Sequence, residues 1–110
     1  GSGWGTPVLI EPPNEDPRED GDATTPRIGV NTAGNAFVVW RQVWEDWGSI
    51  WSNRIDPGMD WDPINVERIE DIERTGRRPA IAVDENRHAH AVWLHERAGG
   101  INWVRTNRFE

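Results

Sequence analysis

Apolar and polar positions alternate in short runs along this chain, broken by Gly, Pro, Asn and Asp. That pattern predicts strands and tight turns, not helices. The runs place strands over 26–31, 36–43, 49–55 and 63–70, then over 79–84, 89–95 and 101–109. Within 36–43, Phe37 and Val39 share one side while Ala36, Val38 and Trp40 share the other. Apolar side chains on both sides predict a sheet covered on both faces, as when sheets stack. Asn31-Thr32-Ala33-Gly34-Asn35 and Asp56-Pro57-Gly58 supply the residue types that tight hairpins need.

The runs repeat. Pro26-Arg27-Ile28-Gly29-Val30-Asn31 with Ala36-Phe37-Val38-Val39-Trp40 returns as Pro79-Ala80-Ile81-Ala82-Val83-Asp84 with Ala89-His90-Ala91-Val92-Trp93. Ser52-Asn53-Arg54-Ile55 returns as Thr106-Asn107-Arg108-Phe109, and the Trp4–Glu11 stretch as Trp61–Glu70. This last element opens the chain, yet it closes the one unit that is contained whole. The expected organisation is therefore a repeat-bearing domain over 3–110, after a Gly1-Ser2 expression scar. It comprises an orphan outer strand at 4–11, a complete four-stranded unit at 26–70 and three strands of a second unit at 79–109.

The run Pro-x-Ile-x-Val-Asn/Asp, Gly-Asn-Ala, Val-Trp, then Asn-Arg-hydrophobic and Trp-x-x-Pro resembles blades of sialidase-like β-propellers, the Asp-box type of bacterial exported proteins. Arg54-Ile55-Asp56-Pro57-Gly58-Met59-Asp60-Trp61 keeps the Asp, Gly and Trp of that box, with Arg for its Ser and Asp for its Thr. The resemblance implies an all-β propeller with two four-stranded antiparallel blades per chain and a secreted or cell-surface location. It also implies structural turn roles for Asp56, Gly58 and Trp61, away from any ligand. Two blades cannot close a ring, and an open pair leaves apolar faces and a strand edge in water. The expectation is oligomerisation with strand exchange, in which 4–11 of one copy completes the 79–109 blade of its neighbour. A homotrimer of six blades is favoured, with a dimer or tetramer as the other closures. A fragment of a longer propeller, or an engineered minimal one, is the alternative.

Composition narrows the chemistry. A net charge of −7 argues against nucleic acid and anionic membranes as partners. Cysteine is absent, as is tyrosine, the nucleophile that the sialidase family uses. The expectation is a non-enzymatic protein with no metal and no cofactor. His88 and His90 share a strand parity but have no third ligand at metal spacing, and a packing role is expected for His90. The acidic loop from Glu15 to Asp22 lacks the alternation of a calcium loop and suits a solvated loop, or one facing neighbouring arginines to set subunit register. Trp is unusually frequent, and most of the eight are expected in packing roles. Trp44-Glu45-Asp46-Trp47, between the second and third strands, is the exception, because two Trp flanking two carboxylates form a flat platform beside hydrogen-bonding groups. Grouped with Arg74, Arg77 and Arg78 of the 71–78 loop, it is the candidate glycan site of a multivalent, lectin-like module. A subunit interface at the same Trp residues, in a purely structural or protein-interaction propeller, is the competing reading.

Overall fold

The computed structural model describes Pro7, Leu9, Ile10 and residues 22–44, 47–62, 65–69, 76–96 and 98–110. Two antiparallel sheets form. The first runs β1 (Asp22–Val30), β2 (Ala36–Trp44), β3 (Trp47–Ile55) and β4 (Glu67–Arg68) in that spatial order. The second runs β5 (Gly76–Val83), β6 (Ala89–Glu96) and β7 (Asn102–Phe109). These are the four-strand and three-strand sets read from the sequence, with two differences in extent. β4 is confined to Glu67–Arg68, whereas the sequence suggests 63–70, of which Pro63, Ile64 and Glu70 lie outside the described residues. β1 and β5 both start several residues earlier than expected, across a bulge.

That bulge is itself repeated. Register shifts occur between Thr24 and Arg27 and between Arg77 and Ala80. At their centres Thr25 and Arg78 take φ 48° and 50°, each directly before a proline. Proline has no N–H for the ladder, so pairing skips it and resumes beyond. The sequence reading stopped the strand at Pro26 and Pro79; the chain instead pairs across them, and Arg77 and Arg78 belong to β5 and not to a loop.

The sheets stack head to tail. Phe37 and Val39 face the second sheet, as does Ile50, which pairs with Arg41 in the register. Ala89, Ala91 and Trp93 of β6 meet them, and Val39, Ile50, Ala91 and Trp93 form the core with Ile69 and Ile81 packed against it. In repeat terms Ala91 is the counterpart of Val38, which lies on the opposite side of its own sheet. The forward face of the first sheet therefore rests on the back face of the second. Gly29 permits a close approach, because a Cβ there would meet Val83 Cγ2 at 3.1 Å.

The forward face of the second sheet has nothing on it among the described residues. Val92 is 40 % exposed and Val104 75 % exposed, with Ala80, Ala82 and His90 also in solvent. His90 does not pack, although Phe37, its counterpart, is buried. The reason is the stack: Phe37 has a sheet in front of it and His90 has none.

The turns lock one end of the stack. Asn31 and Asn35 are buried and hydrogen-bond to each other across the β1–β2 hairpin, Nδ2 to Oδ1 at 2.9 Å. Asn31 Nδ2 also reaches the Asp84 carbonyl at 3.1 Å, and the Glu85 carboxylate accepts from both the amide and hydroxyl of Thr32. In the counterpart hairpin Asp84 Oδ1 accepts the His88 and Asn86 amides, both at 2.9 Å. The His88 amide above all holds the Asp84 carboxyl below its ordinary value; burial opposes this, and the Asn86 amide and His88 imidazole add to it. A carboxylate with a depressed folded pKa stabilises the turn above its unfolded value and loses that contribution as pH falls through the folded one. On acidification below the ordinary carboxylate range, the Asn86 and His88 amides should therefore exchange faster with solvent while the amides of β2 hold, as hydrogen-exchange NMR would report.

Candidate functional site

The candidate glycan hairpin sits at the other end. Trp44 closes β2, Trp47 opens β3, and the two are directly opposite in the register, with Glu45 and Asp46 between them outside the described residues. Arg74 is also outside the described residues. Arg41 ties this end of the first sheet to the second by donating from Nε to the Gly76 carbonyl at 2.9 Å. β5 begins at that glycine, so Arg77 and Arg78 start from the end of the stack that carries the hairpin. The Arg77 Nε, however, lies 2.8 Å from Glu96 Oε2, and Glu96 is on the forward face of the second sheet, away from the first. Arg78 is exposed at its positive-φ bulge.

Gly48 makes room for the Arg41 link. A Cβ at Gly48 would fall on the Arg41 guanidinium, which spans the hairpin to reach Gly76. Gly48→Ala should displace it and cost about 2 kcal/mol, the net worth of one hydrogen bond from a charged donor. Urea denaturation would register the loss, and Arg41→Ala combined with Gly48→Ala should lose little more than Arg41→Ala alone.

The Asp56–Met59 turn lies at the locked end. The Met59 amide donates to the Asp56 carbonyl at 3.1 Å, and Gly58 takes φ 76° within that turn. Asp56 Oδ1 accepts from Asn35 Nδ2 at 3.1 Å and lies 3.7 Å from Arg87 Nη1. The carboxylate thus joins three turns, two of its own sheet and one of the next, and Trp61 is half-buried nearby in sequence.

A feature the sequence reading missed lies between the sheets at this end. The Phe37 and Phe109 rings are 5.1 Å apart, and the Arg54 guanidinium lies 4.8 Å over Phe109 while its Nη1 is 3.2 Å from Glu67 Oε1. They border a groove of about 70 Å³ that is open to solvent. Phe109 stands where the first unit has Ile55, so only the aromatic substitution between units hinted at it.

The histidines do not converge on a metal geometry. His88 Nδ1 lies 3.2 Å from Asp84 Oδ2 and 3.2 Å from Arg108 Nη2, His90 is exposed, and His95 is buried with its ring 6.1 Å from that of Trp103. No group of three His, Asp or Glu side chains among the described residues is arranged to hold a metal ion. The chain matches no protein-family model, no curated protein and no solved structure. Its functional reading rests on its own geometry.

Proposed function

We propose that this chain is a self-assembling, non-catalytic β-propeller module whose copies close a ring by strand exchange and bind glycans at the Trp44–Trp47 hairpins. The observation that supports assembly is the head-to-tail stack, which leaves Val92 and Val104 of the second sheet's forward face in water, beside His90, Thr106 and Arg108. A contact between unlike faces repeats from copy to copy until its rotation closes, and a closed ring leaves no apolar face in water. Three copies would make the six blades of the propellers that the repeats resemble. Such a ring would carry one Trp-Glu-Asp-Trp hairpin per chain, and repetition of weak sites raises avidity without new contacts. A secreted or cell-surface setting suits both the resemblance and a glycan ligand.

Light scattering on a sizing column tests assembly: multimers are expected, and a monomer at tens of micromolar overturns it. A glycan array tests the ligand. The parent should bind, and Trp44→Ala/Trp47→Ala should lose at least about tenfold in apparent affinity at unchanged ring size, as removal of aromatic anchors does. An intact ring that binds no glycan would leave a structural or protein-interaction propeller as its role.

A further inference from the structure

We infer that the exchanged strand has one defined register: Leu9 of one copy lies opposite the partner subunit's Arg105, and the Ile10 amide donates to the partner subunit's Val104 carbonyl. This rests on the assembly proposed above and specifies it at the level of residues.

Two asparagines place Ile10. Asn53 Nδ2 donates to the Ile10 carbonyl at 2.9 Å, and Asn107 Nδ2 donates to the Ile69 carbonyl at 2.8 Å. Asn53 lies opposite Val38 and Asn107 opposite Ala91, counterpart positions on the back faces of the two sheets. Each asparagine also uses its Oδ1 alike, accepting the amide of the following arginine at 2.7 and 2.8 Å. Ile10 therefore stands to the back of the first sheet as Ile69 stands to the back of the second. The pairing is read from hydrogen bonds, independently of the sequence repeat that also aligns Ile10 with Ile69.

Ile69 is not a free segment. Its amide donates to the Ile50 carbonyl at 2.9 Å, next to the β3–β4 pairs Trp51 with Arg68 and Ser52 with Glu67. Ile69 thus extends the edge of the sheet that lies behind the second sheet. By the same relation Ile10 occupies the edge position of a sheet behind the first. The chain's own second sheet cannot be that sheet, because it lies on the forward side of the first. A second copy can, since its β7 is an edge strand without a fourth neighbour among the described residues.

The register follows by substitution of counterparts. Ile50, Trp51 and Ser52 in β3 correspond to Val104, Arg105 and Thr106 in β7, because Ala36 opposite Ile55 and Ala89 opposite Phe109 anchor the two ladders alike. Ile69 and Arg68 correspond to Ile10 and Leu9. Leu9 is 58 % exposed in the single chain, which leaves an apolar side chain for the joint to cover. The Ile69-to-Ile50 bond makes that pair a hydrogen-bonded one, so Trp51 with Arg68 is the closer, non-hydrogen-bonded kind. Leu9 and the partner's Arg105 should share that geometry, with Cα atoms about 4.5 Å apart, inside the range a disulfide tolerates.

The chain has no cysteine, so a Leu9→Cys/Arg105→Cys variant carries only the two thiols of interest. Under mild oxidation it should form covalent multimers up to the size of the native assembly. Leu9→Cys and Arg105→Cys chains mixed should give disulfide-linked dimers. Leu9→Cys/Trp103→Cys places the thiols two residues out of register, at a diagonal separation of about 7–8 Å, and should link about ten times more slowly. Light scattering under reducing conditions confirms that each variant assembles as the parent does. Faster linkage at 103 than at 105, or an intrachain disulfide, would overturn the register. An assembled parent with no linkage at 105 would overturn the register and leave the ring standing, whereas a monomeric parent would remove both.

Discussion

A Val92→Asp chain should stay folded and fail to assemble. Val92 is central on the forward face of the second sheet, with Ala80 and Thr106 as its register partners on either side. At 40 % exposure its side chain already reaches water in the single chain, so a carboxylate there can remain solvated. In the proposed assembly the same carboxylate would be pressed against the back face of a neighbour's first sheet. The side chains there, Ala36, Val38 and Trp40, are apolar, are already buried in the single chain, and offer a charge no partner. Burying an unpaired carboxylate costs several kcal/mol. About 3 kcal/mol is enough to raise the concentration for half-assembly roughly 100-fold. Light scattering across a dilution series measures that midpoint, while circular dichroism checks that the strands persist. Asn86→Asp, the same change of charge on an exposed turn, should leave the midpoint where it is. Equal assembly by Val92→Asp and the parent would show that the ring is not closed through this face.

The two buried tryptophans should respond differently to the same substitution. Trp40 and Trp93 are counterparts, each about 97 % buried or more. Trp40 Nε1 donates to Gln42 Oε1 at 2.7 Å. The Trp93 Nε1 has no hydrogen-bond partner among the described residues, and the residue two positions on is His95, not glutamine. Trp40→Phe should therefore lose a hydrogen bond, about 1 kcal/mol, in addition to the packing lost by exchanging indole for phenyl. Trp93→Phe should lose only the packing. Trp93→Ala should cost about 3–5 kcal/mol, because the space between Val39, Ile50 and Ile69 cannot collapse around a methyl group. That is a large share of the roughly 5–15 kcal/mol available to a domain, and much of the chain should unfold in modest urea. The measurement belongs in the monomeric Val92→Asp background, where the urea midpoint does not depend on protein concentration. The expected order of midpoints is parent, Trp93→Phe, Trp40→Phe, Trp93→Ala. A Trp93→Phe midpoint below that of Trp40→Phe would mean that the Trp93 indole N–H makes a stabilising bond.

Strand identity was legible because alternation has a period of two and depends on neighbours only. The antiparallel pairing of consecutive strands, both sheets and the three-strand count of the second followed from it. The starts of β1 and β5 were not legible, since Pro26 and Pro79 read as breaks while the ladder tolerates each one through a bulge. Arg77 and Arg78 read as loop residues in the sequence for that reason. Of the candidate glycan residues, the structure pairs Trp44 with Trp47 in the register and turns Arg77 toward Glu96. The bridging role of Asp56 was only half visible, because its partners Asn35 and Arg87 sit in turns far along the chain.

The sequence by itself determined a repeat of strands and the composition of their faces. Only the tertiary structure decided which face meets which: the Val39 side of one sheet on the Ala91 side of the next, leaving Val92 and Val104 in water. It also decided that Ile10 and Ile69 answer to equivalent asparagines. The physical reason is that binary pattern sorts side chains into two faces but carries no label for the partner of each. Shape, the reach of Asn53 and Asn107, and the closure of the core around Trp93 supply that label, and these exist only once the sheets are stacked.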